Sequence, residues 1–511
     1  MNSSRTHRAI KNSLTAFLCQ VIGIVASFAS RTVFTILLGS EYLGVSGLFT
    51  NILTILSFAE LGFGSAIVYR LYAPLANKDD NKVRLFLRLY KKVYSLVACV
   101  VLVAGVSIIP FLKYLVKAPD VVEDIRLLYI LYLLHTVLSY IFVYKKSLLI
   151  ADQNDYIVSF ASQLITICMH IVQIVVLLIT HDFVLYAILF AIFPLIENSI
   201  CGLIADKKYG KRFNSKPKGE LTKDDYAGLK KDIKGLMLTN VAATVLSGTD
   251  NLFISSYIGI KYVGILSNYS LVLTTINGVM NRIFASVTAI VGNLAVSGNE
   301  QGTETVLKRM YFLNASFYSY ICIGMILLIK EFVVNIWLDD QFLLTDITII
   351  LAILELFFRS LHYPLHTVQM AMGLFSEYRI MYLVAAVANI ILDFLLVKDF
   401  GIAGLIVATI LCRWIIFFTD IYVVYKYGFK KSVTSYAKEI IKWLCFVVVA
   451  VLICKPLISL IKSTTIIAFI VKVVLISIVY LVLYIAVFFR KDEFKYFYNL
   501  INKIFRRKKS I

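Results

Sequence analysis

The sequence predicts an all-α polytopic membrane protein, and three observations carry that prediction. Apolar residues make up 60% of the 511 positions and charged residues only 16%, where soluble domains run nearer roughly 45–50% and about 25%. Apolar runs of bilayer-crossing length, about 20 residues each, recur along the whole chain. Lysine and arginine collect in every second connection between those runs. A chain with a mean hydropathy of +0.83 cannot hide so much apolar surface in soluble cores, so the bilayer is its solvent. A disordered, collagenous or disulfide-stapled secreted chain is excluded by the same composition.

Fourteen transmembrane helices are predicted, at 12–38, 45–69, 93–112, 127–144, 157–179, 183–205, 235–257, 264–295, 310–329, 347–373, 380–397, 402–425, 443–461 and 464–489. The first follows a basic stretch, as a signal peptide would, but it is too long for one. With the N-terminus in the cytoplasm, 38 Lys and Arg fall on the cytoplasmic side and eight outside, counting Lys455 at the outer end of its span. That asymmetry sets the orientation, with both termini cytoplasmic. It also supports an even number of spans, because one span more or fewer would flip every later loop. The formal net charge of +20 is mostly this sidedness, and no nucleic-acid partner is expected.

An internal repeat divides the chain. Leu38-Gly39-Ser40-Glu41-Tyr42-Leu43-Gly44 follows the first span, and Ile258-Gly259-Ile260-Lys261-Tyr262-Val263-Gly264 follows the seventh, 220 residues on. Lys208-Tyr209-Gly210 and Lys426-Tyr427-Gly428 repeat after the sixth and twelfth. Together they bracket two six-helix bundles, and an even number of spans per unit gives a parallel repeat with pseudo-two-fold symmetry. The expected organisation is an N-terminal bundle at 1–205, a basic cytoplasmic linker at 206–234, a second bundle at 235–425, two additional helices within 426–489 and a basic tail at 490–511.

Ionisable groups within spans cost at least about 2.5–3.5 kcal/mol each on insertion scales, which implies a protein-lined or watery interior. Here they are Arg31, Glu60, Glu197, Asp250, Arg282, Glu355, Arg359, Asp393, Arg413, Asp420 and Lys472, with His135, His170, His362 and His366 beside them. Arg31 and Arg282 have no acid at i±3 or i±4, so neither has a local salt-bridge explanation. Glu355 and Arg359 are spaced to neutralise each other. Glu197 and Asp420 are expected to reach water at cytoplasmic helix ends, and Lys472 to snorkel.

Other chemistry is thin. The eight cysteines lie in apolar stretches without a C-x-x-C pair and read as small hydrophobes. His362-Tyr-Pro-Leu-His366 sets two imidazoles one turn apart, but no third ligand or H-E-x-x-H glutamate accompanies them, so no metal is expected. Pro364 and Pro194 are expected to kink their spans. No phosphate-binding loop or nucleophile elbow is present, and no soluble loop exceeds about thirty residues. The expectation is therefore a non-enzyme without a cofactor. Lys82-Val-Arg84-Leu-Phe-Leu-Arg88-Leu-Tyr-Lys91-Lys92 places Arg84, Arg88 and Lys91 on one helix face. That face and the basic tail around Phe505-Arg506-Arg507-Lys508-Lys509 are expected at anionic headgroups of the inner leaflet.

The opening Arg31-Thr-Val-Phe-Thr-Ile-Leu-Leu-Gly39-Ser-Glu41-Tyr-Leu-Gly44-Val-Ser-Gly-Leu-Phe, then Phe58-Ala-Glu60-Leu-Gly62-Phe-Gly64, the basic segment 82–92 and Phe400-Gly401-Ile-Ala-Gly404 resemble one family. It is the polysaccharide transporter (Wzx-type flippase) branch of the multidrug/oligosaccharidyl-lipid/polysaccharide exporter superfamily, whose fourteen-span layout covers the whole chain. The resemblance implies two bundles facing a central cavity, alternating access, and residence in a bacterial cytoplasmic membrane. It implies a polyprenyl-diphosphate-linked oligosaccharide as substrate, moved from the inner to the outer leaflet for surface-polysaccharide synthesis, with glycosyltransferases and a polysaccharide polymerase as partners. A diphosphate suits bidentate guanidinium groups, so Arg31, Arg282, Arg359 and Arg413 are the substrate-binding candidates. Glu60, Asp250 and Asp393 are the candidates for ion coupling. A drug/cation antiporter and a peptidoglycan-precursor flippase of the same superfamily are the competing transport readings. A membrane glycosyltransferase would need a larger outer loop than 113–126 or 330–346.

Overall fold

The computed structural model describes residues 3–508 except 61–62, 117–120, 122, 153, 214, 297–299, 373 and 430–433. Among the described residues there is no strand. The helices are α1 (Ser3–Leu38), α2 (Ser40–Leu56), α3 (Phe63–Ala76), α4 (Asp80–Ile108), α5 (Leu112–Leu115), α6 (Ile125–Ser139), α7 (Val143–Ala151), α8 (Asp155–Thr180), α9 (Phe183–Phe213), α10 (Lys223–Phe253), α11 (Ile260–Val296), α12 (Glu300–Glu331), α13 (Asp346–Met372), α14 (Phe375–Val423), α15 (Thr434–Ser459), α16 (Ile466–Phe488) and α17 (Asp492–Lys508). Helix occurs in each of the fourteen predicted spans, with 45–69 divided between α2 and α3 and 127–144 between α6 and α7. By length and apolarity, nine helices among the described residues can cross a bilayer, and ten when the bent pair α6–α7 counts as one crossing. The chain is a multi-pass membrane protein.

Exposure runs opposite to that of a soluble protein. On α16 the exposed side chains are apolar, among them Ile467, Ile470, Val474, Ile478 and Val482, while Lys472 and Tyr480 are buried. Glu355, Asn389, Asp393 and Asp420 are buried as well. Backbone polar groups have no water to bond in hydrocarbon, so continuous helix is the only local solution.

Three of the breaks fall on glycines and one does not. Gly39 (φ 90°) separates α1 from α2, and Gly259 (φ 138°) precedes α11, so both repeat motifs turn on a left-handed glycine. The α6–α7 bend of 43° centres on Phe142, itself left-handed at φ 61°. In α14 the chain breaks at Gly401 (φ 57°, ψ −136°). A Cβ on Gly404 would lie 2.6 Å from the carbonyl oxygen of Leu396. Eight residues of straight helix would hold those positions about 12 Å apart, so α14 is two helices folded over at Gly401. Pro194 and Pro364 lie inside α9 and α13.

The chain divides into two compact units, Met1–Tyr269 and Ser270–Ile511. In the first, α1 packs on α8, α6 on α9, and α10 against α2 and α3. The two repeat motifs also meet within it. A Cβ on Gly44 would fall 2.0 Å from the Ile260 carbonyl oxygen, and one on Gly264 would fall 1.9 Å from that of Ser40. The two contacts exchange under the 220-residue offset, so the motifs pack reciprocally, backbone on backbone. No side chain fits at either position.

The basic segment 206–234 is fastened to the start of α4. Asn81 Nδ2 donates to the Lys218 carbonyl at 2.7 Å, and Lys218 N–H donates back to Asn81 Oδ1 at 2.8 Å. Arg212 pairs with Asp80 at 2.6 Å and Lys82 with Asp225 at 2.8 Å. Asp225 also closes a capping box with Thr222 at the start of α10. Partial burial works to raise the Asp225 carboxyl, but Lys82 and Thr222 outweigh it and hold it below its ordinary value.

In the second unit α13 packs on α12 and on α14, and α15 and α16 pack on α12. An aromatic cluster makes that last join. Trp443 of α15 stacks on Phe488 of α16 at 4.3 Å, and Phe312 of α12 meets both rings edge-on. Polar bonds add to it, as between membrane helices generally. Tyr480 Oη donates to the Ser316 carbonyl at 2.6 Å, and Lys472 pairs with Glu331 at 2.7 Å. Lys472 reaches back toward the start of its helix, where it also donates to the Ser463 carbonyl at 3.2 Å, and its charge is met there by a carboxylate from another helix.

Candidate functional sites

Arg31 stands in the apolar part of α1, in the first unit. Its Nη1 donates to Ser267 Oγ at 3.2 Å, and Ser267 donates on to the Gly264 carbonyl at 2.8 Å. The guanidinium therefore hangs on the second repeat motif. It has no ion-pair partner among the described residues, and Tyr132, Tyr186 and His170 are its electrostatic neighbours. On α1, α8 and α11, the helices that carry Arg31, His170 and Ser267, several buried polar atoms have no hydrogen-bond partner among the described residues: Thr35 Oγ1, His170 Nδ1, and both amide atoms of Gln173 and of Asn268. Thr35 is one turn from Arg31, Gln173 one turn from His170, and Asn268 adjoins Ser267. Each unmet polar group costs about 1–3 kcal/mol.

Glu60 sits at the 3-10 break between α2 and α3. It accepts from Tyr94 Oη at 3.0 Å. With Tyr132, His135 and Tyr140 it lines a cavity of about 210 Å³. Asp250 is half-buried near the end of α10. The side chain of Arg282 lies outside the described residues, as does that of the basic tail at 505–509.

In the second unit Glu355 holds two arginines. Arg359 donates Nε to Oε1 at 2.9 Å and Nη2 to Oε1 and Oε2 at 2.8 Å each. Arg413, from the far arm of α14, donates Nε to the same Oε1. The local i,i+4 pair expected from the sequence is therefore a cluster in which one carboxylate serves two guanidinium groups. Asp393 is fully buried and accepts from Asn389 Nδ2 at 3.3 Å on the same helix.

A second cluster joins residues far apart in the sequence. Asp420 was expected to reach water, yet it is fully buried. His362 Nδ1 meets its Oδ2 at 2.5 Å, while Gln369 Nε2 and Tyr382 Oη donate to its Oδ1 at 2.9 and 3.0 Å. The His366 ring lies 4.8 Å from that of His362. The i,i+4 histidines carried a signal, but their acidic partner is 58 positions away. Glu197 likewise does not end in water alone: it pairs with Lys146 and accepts from Ser162 at 2.6 Å.

No family model and no curated protein matches the chain, but solved structures do. The lipid II flippase MurJ, in an inward closed conformation, superposes with a TM-score of 0.67 at 16% identity, covering 94% of this chain and 99% of that one. An inward-facing multidrug resistance MATE family transporter of the MOP superfamily gives 0.61 at 11%, covering 80% and 98%. A Vibrio cholerae MATE transporter gives 0.57 at 14%, covering 83% and 98%. At these identities the likeness is one of fold, and the chain has the all-helical fold of the MOP-superfamily transporters.

Proposed function

We propose that this protein is a lipid flippase that moves a polyprenyl-diphosphate-linked oligosaccharide from the inner to the outer leaflet by alternating access. The observation that carries the reading is the Arg31 site. A guanidinium without a carboxylate partner among the described residues, on helices that also carry unmet neutral donors and acceptors, suits a diphosphate joined to a sugar. The guanidinium offers the forked contact and the amides and hydroxyls suit sugar oxygens. The fold likeness to a lipid II flippase over nearly the whole chain is compatible with a lipid-linked substrate. An inside-negative potential favours an outgoing anion by about 2.3 kcal/mol per charge per 100 mV. Glu60 in its tyrosine-lined cavity is the feature that favours the competing reading, an antiporter for organic cations.

Arg31→Ala is expected to slow polymer export by about 10–100-fold, the value of a lost charge-assisted hydrogen bond. Lipid-linked intermediate should accumulate on the inner leaflet at matched protein levels. Arg31→Lys is expected to restore part of the activity, because the ammonium keeps the charge but loses the fork. Full export by Arg31→Ala would overturn the anion-site reading, and export of organic cations without lipid-linked intermediate would favour the antiporter.

Sidedness has its own check. Glu220 and Asp340 are exposed. Glu220→Cys is expected to label only after permeabilisation, and Asp340→Cys in intact cells. The reverse pattern would invert the proposed orientation.

A further inference from the structure

The basic face predicted on α4 closes a pocket of about 480 Å³ within the first unit. Arg84, Arg88 and Lys91 come from α4, Lys145 from α7 and Lys216 from the segment after α9. The one acid among its described lining residues, Asp206, is taken by Lys145 at 2.5 Å. Arg88, Lys91 and Lys216 have no ion-pair partner among the described residues. Arg84 is held in place by the Arg212 carbonyl at 3.3 Å and by Ser215 Oγ. Its Nε is buried without a hydrogen-bond partner among the described residues. The base of the pocket is apolar, with Leu87, Leu148, Ala205 and Phe213 buried there.

Its level in the membrane follows from the helices that form it. On α4 the charged turns end at Lys92 and the apolar run begins at Val93. On α9 the apolar run ends at Ala205 and the charged extension begins at Asp206. The pocket therefore lies where hydrocarbon gives way to headgroups. A solvated basic face would not need the apolar floor. A phosphate between a glycerol backbone and a polar headgroup uses both the basic face and the floor.

We propose that this pocket binds the phosphate headgroup of an anionic phospholipid of the leaflet that borders segment 206–234. It is a lipid site separate from the Arg31 site and does not depend on what the protein transports. Arg84, Arg88, Lys91 and Lys216 meet the phosphate, and the apolar floor takes the glycerol and the first acyl carbons. The occupied site would tie α4, α7 and the start of the linker to the bilayer surface.

The test is native mass spectrometry of the full-length protein in detergent, titrated with phosphatidylglycerol, cardiolipin, phosphatidylcholine or inorganic phosphate. The two anionic lipids are expected to be retained and phosphatidylcholine lost. Arg88→Gln/Lys91→Gln, two exposed positions, is expected to weaken retention at least about tenfold, the loss of a charge-assisted hydrogen bond to the phosphate. Lys92→Gln/Lys207→Gln removes the same charge from exposed neighbours that do not line the pocket, and should leave retention within about twofold, the size of screened surface charge effects. Equal weakening by both pairs would mean diffuse attraction and overturn the site. Retention of phosphatidylcholine as strong as that of the anionic lipids would overturn it as well. Displacement of lipid by millimolar inorganic phosphate would reassign the pocket to a soluble phosphate ligand and overturn the lipid proposal.

Discussion

Glu355→Ala is expected to destabilise the second unit by about 3–5 kcal/mol, the cost of breaking a buried ion pair from one side. The loss is severe because the carboxylate separates two guanidinium groups, and without it Arg359 and Arg413 face each other in a low-dielectric interior. The same geometry ranks the other variants. Arg359→Ala leaves Glu355 paired with Arg413, and Arg413→Ala leaves it in the bidentate pair with Arg359. Both retain a neutral pair and should be far milder. Glu355→Ala/Arg359→Ala leaves a lone buried cation and should be less stable than Arg359→Ala. A strictly local i,i+4 pair predicts the reverse, with the double variant better than either single one. Thermal unfolding of the purified protein in detergent, read as a double-mutant cycle, separates the two orders. A double variant as stable as Arg359→Ala would remove Arg413 from the cluster.

Gly264→Ala should be nearly as damaging, although it adds one methyl group. Its Cβ would lie 1.9 Å from a backbone carbonyl oxygen, and backbone cannot rotate away as a side chain can. The first turns of α2 and α11 must move apart, at a cost of about 1–3 kcal/mol or more for overpacking. Gly44→Ala should behave alike, for the reciprocal reason. Since either change opens the same contact, the double variant should cost clearly less than the sum of the two. Gly324→Ala on α12 is the control. Nothing lies within 4 Å of its Cβ, so it should be neutral or slightly stabilising, as alanine is in a helix interior. Ser267 links the Gly264 carbonyl to Arg31, so the glycine variants should also lower export. Additive losses in melting temperature would show that the two glycines act independently and would remove the reciprocal contact as their shared cause.

How much of this was legible beforehand depended on whether the signal was local. Apolarity over about 20 residues is a property of one stretch of chain, so helix occurs in each of the predicted spans. The cost of a cation in hydrocarbon holds whatever its neighbours, which is why Arg31 stood out from sequence. Both motif glycines turn in the left-handed region because that conformation belongs to a single residue. The three basic residues on one face of α4 were equally visible, since helical spacing alone brings them together.

Partnership was a different matter. Arg413 and Glu355 are 58 positions apart, as are His362 and Asp420, and Lys472 and Glu331 are 141 apart. Nothing in the linear pattern separates a carboxylate that ends in water from one that folding surrounds with a histidine, a glutamine and a tyrosine. The apolar stretches by themselves determined that this chain crosses a membrane many times, in helices, with an arginine where hydrocarbon should be. Only the tertiary structure decided which charges cancel, which polar atoms remain unmet, and that the two glycine motifs meet each other, because ion pairing and steric exclusion act between atoms a few ångströms apart in space.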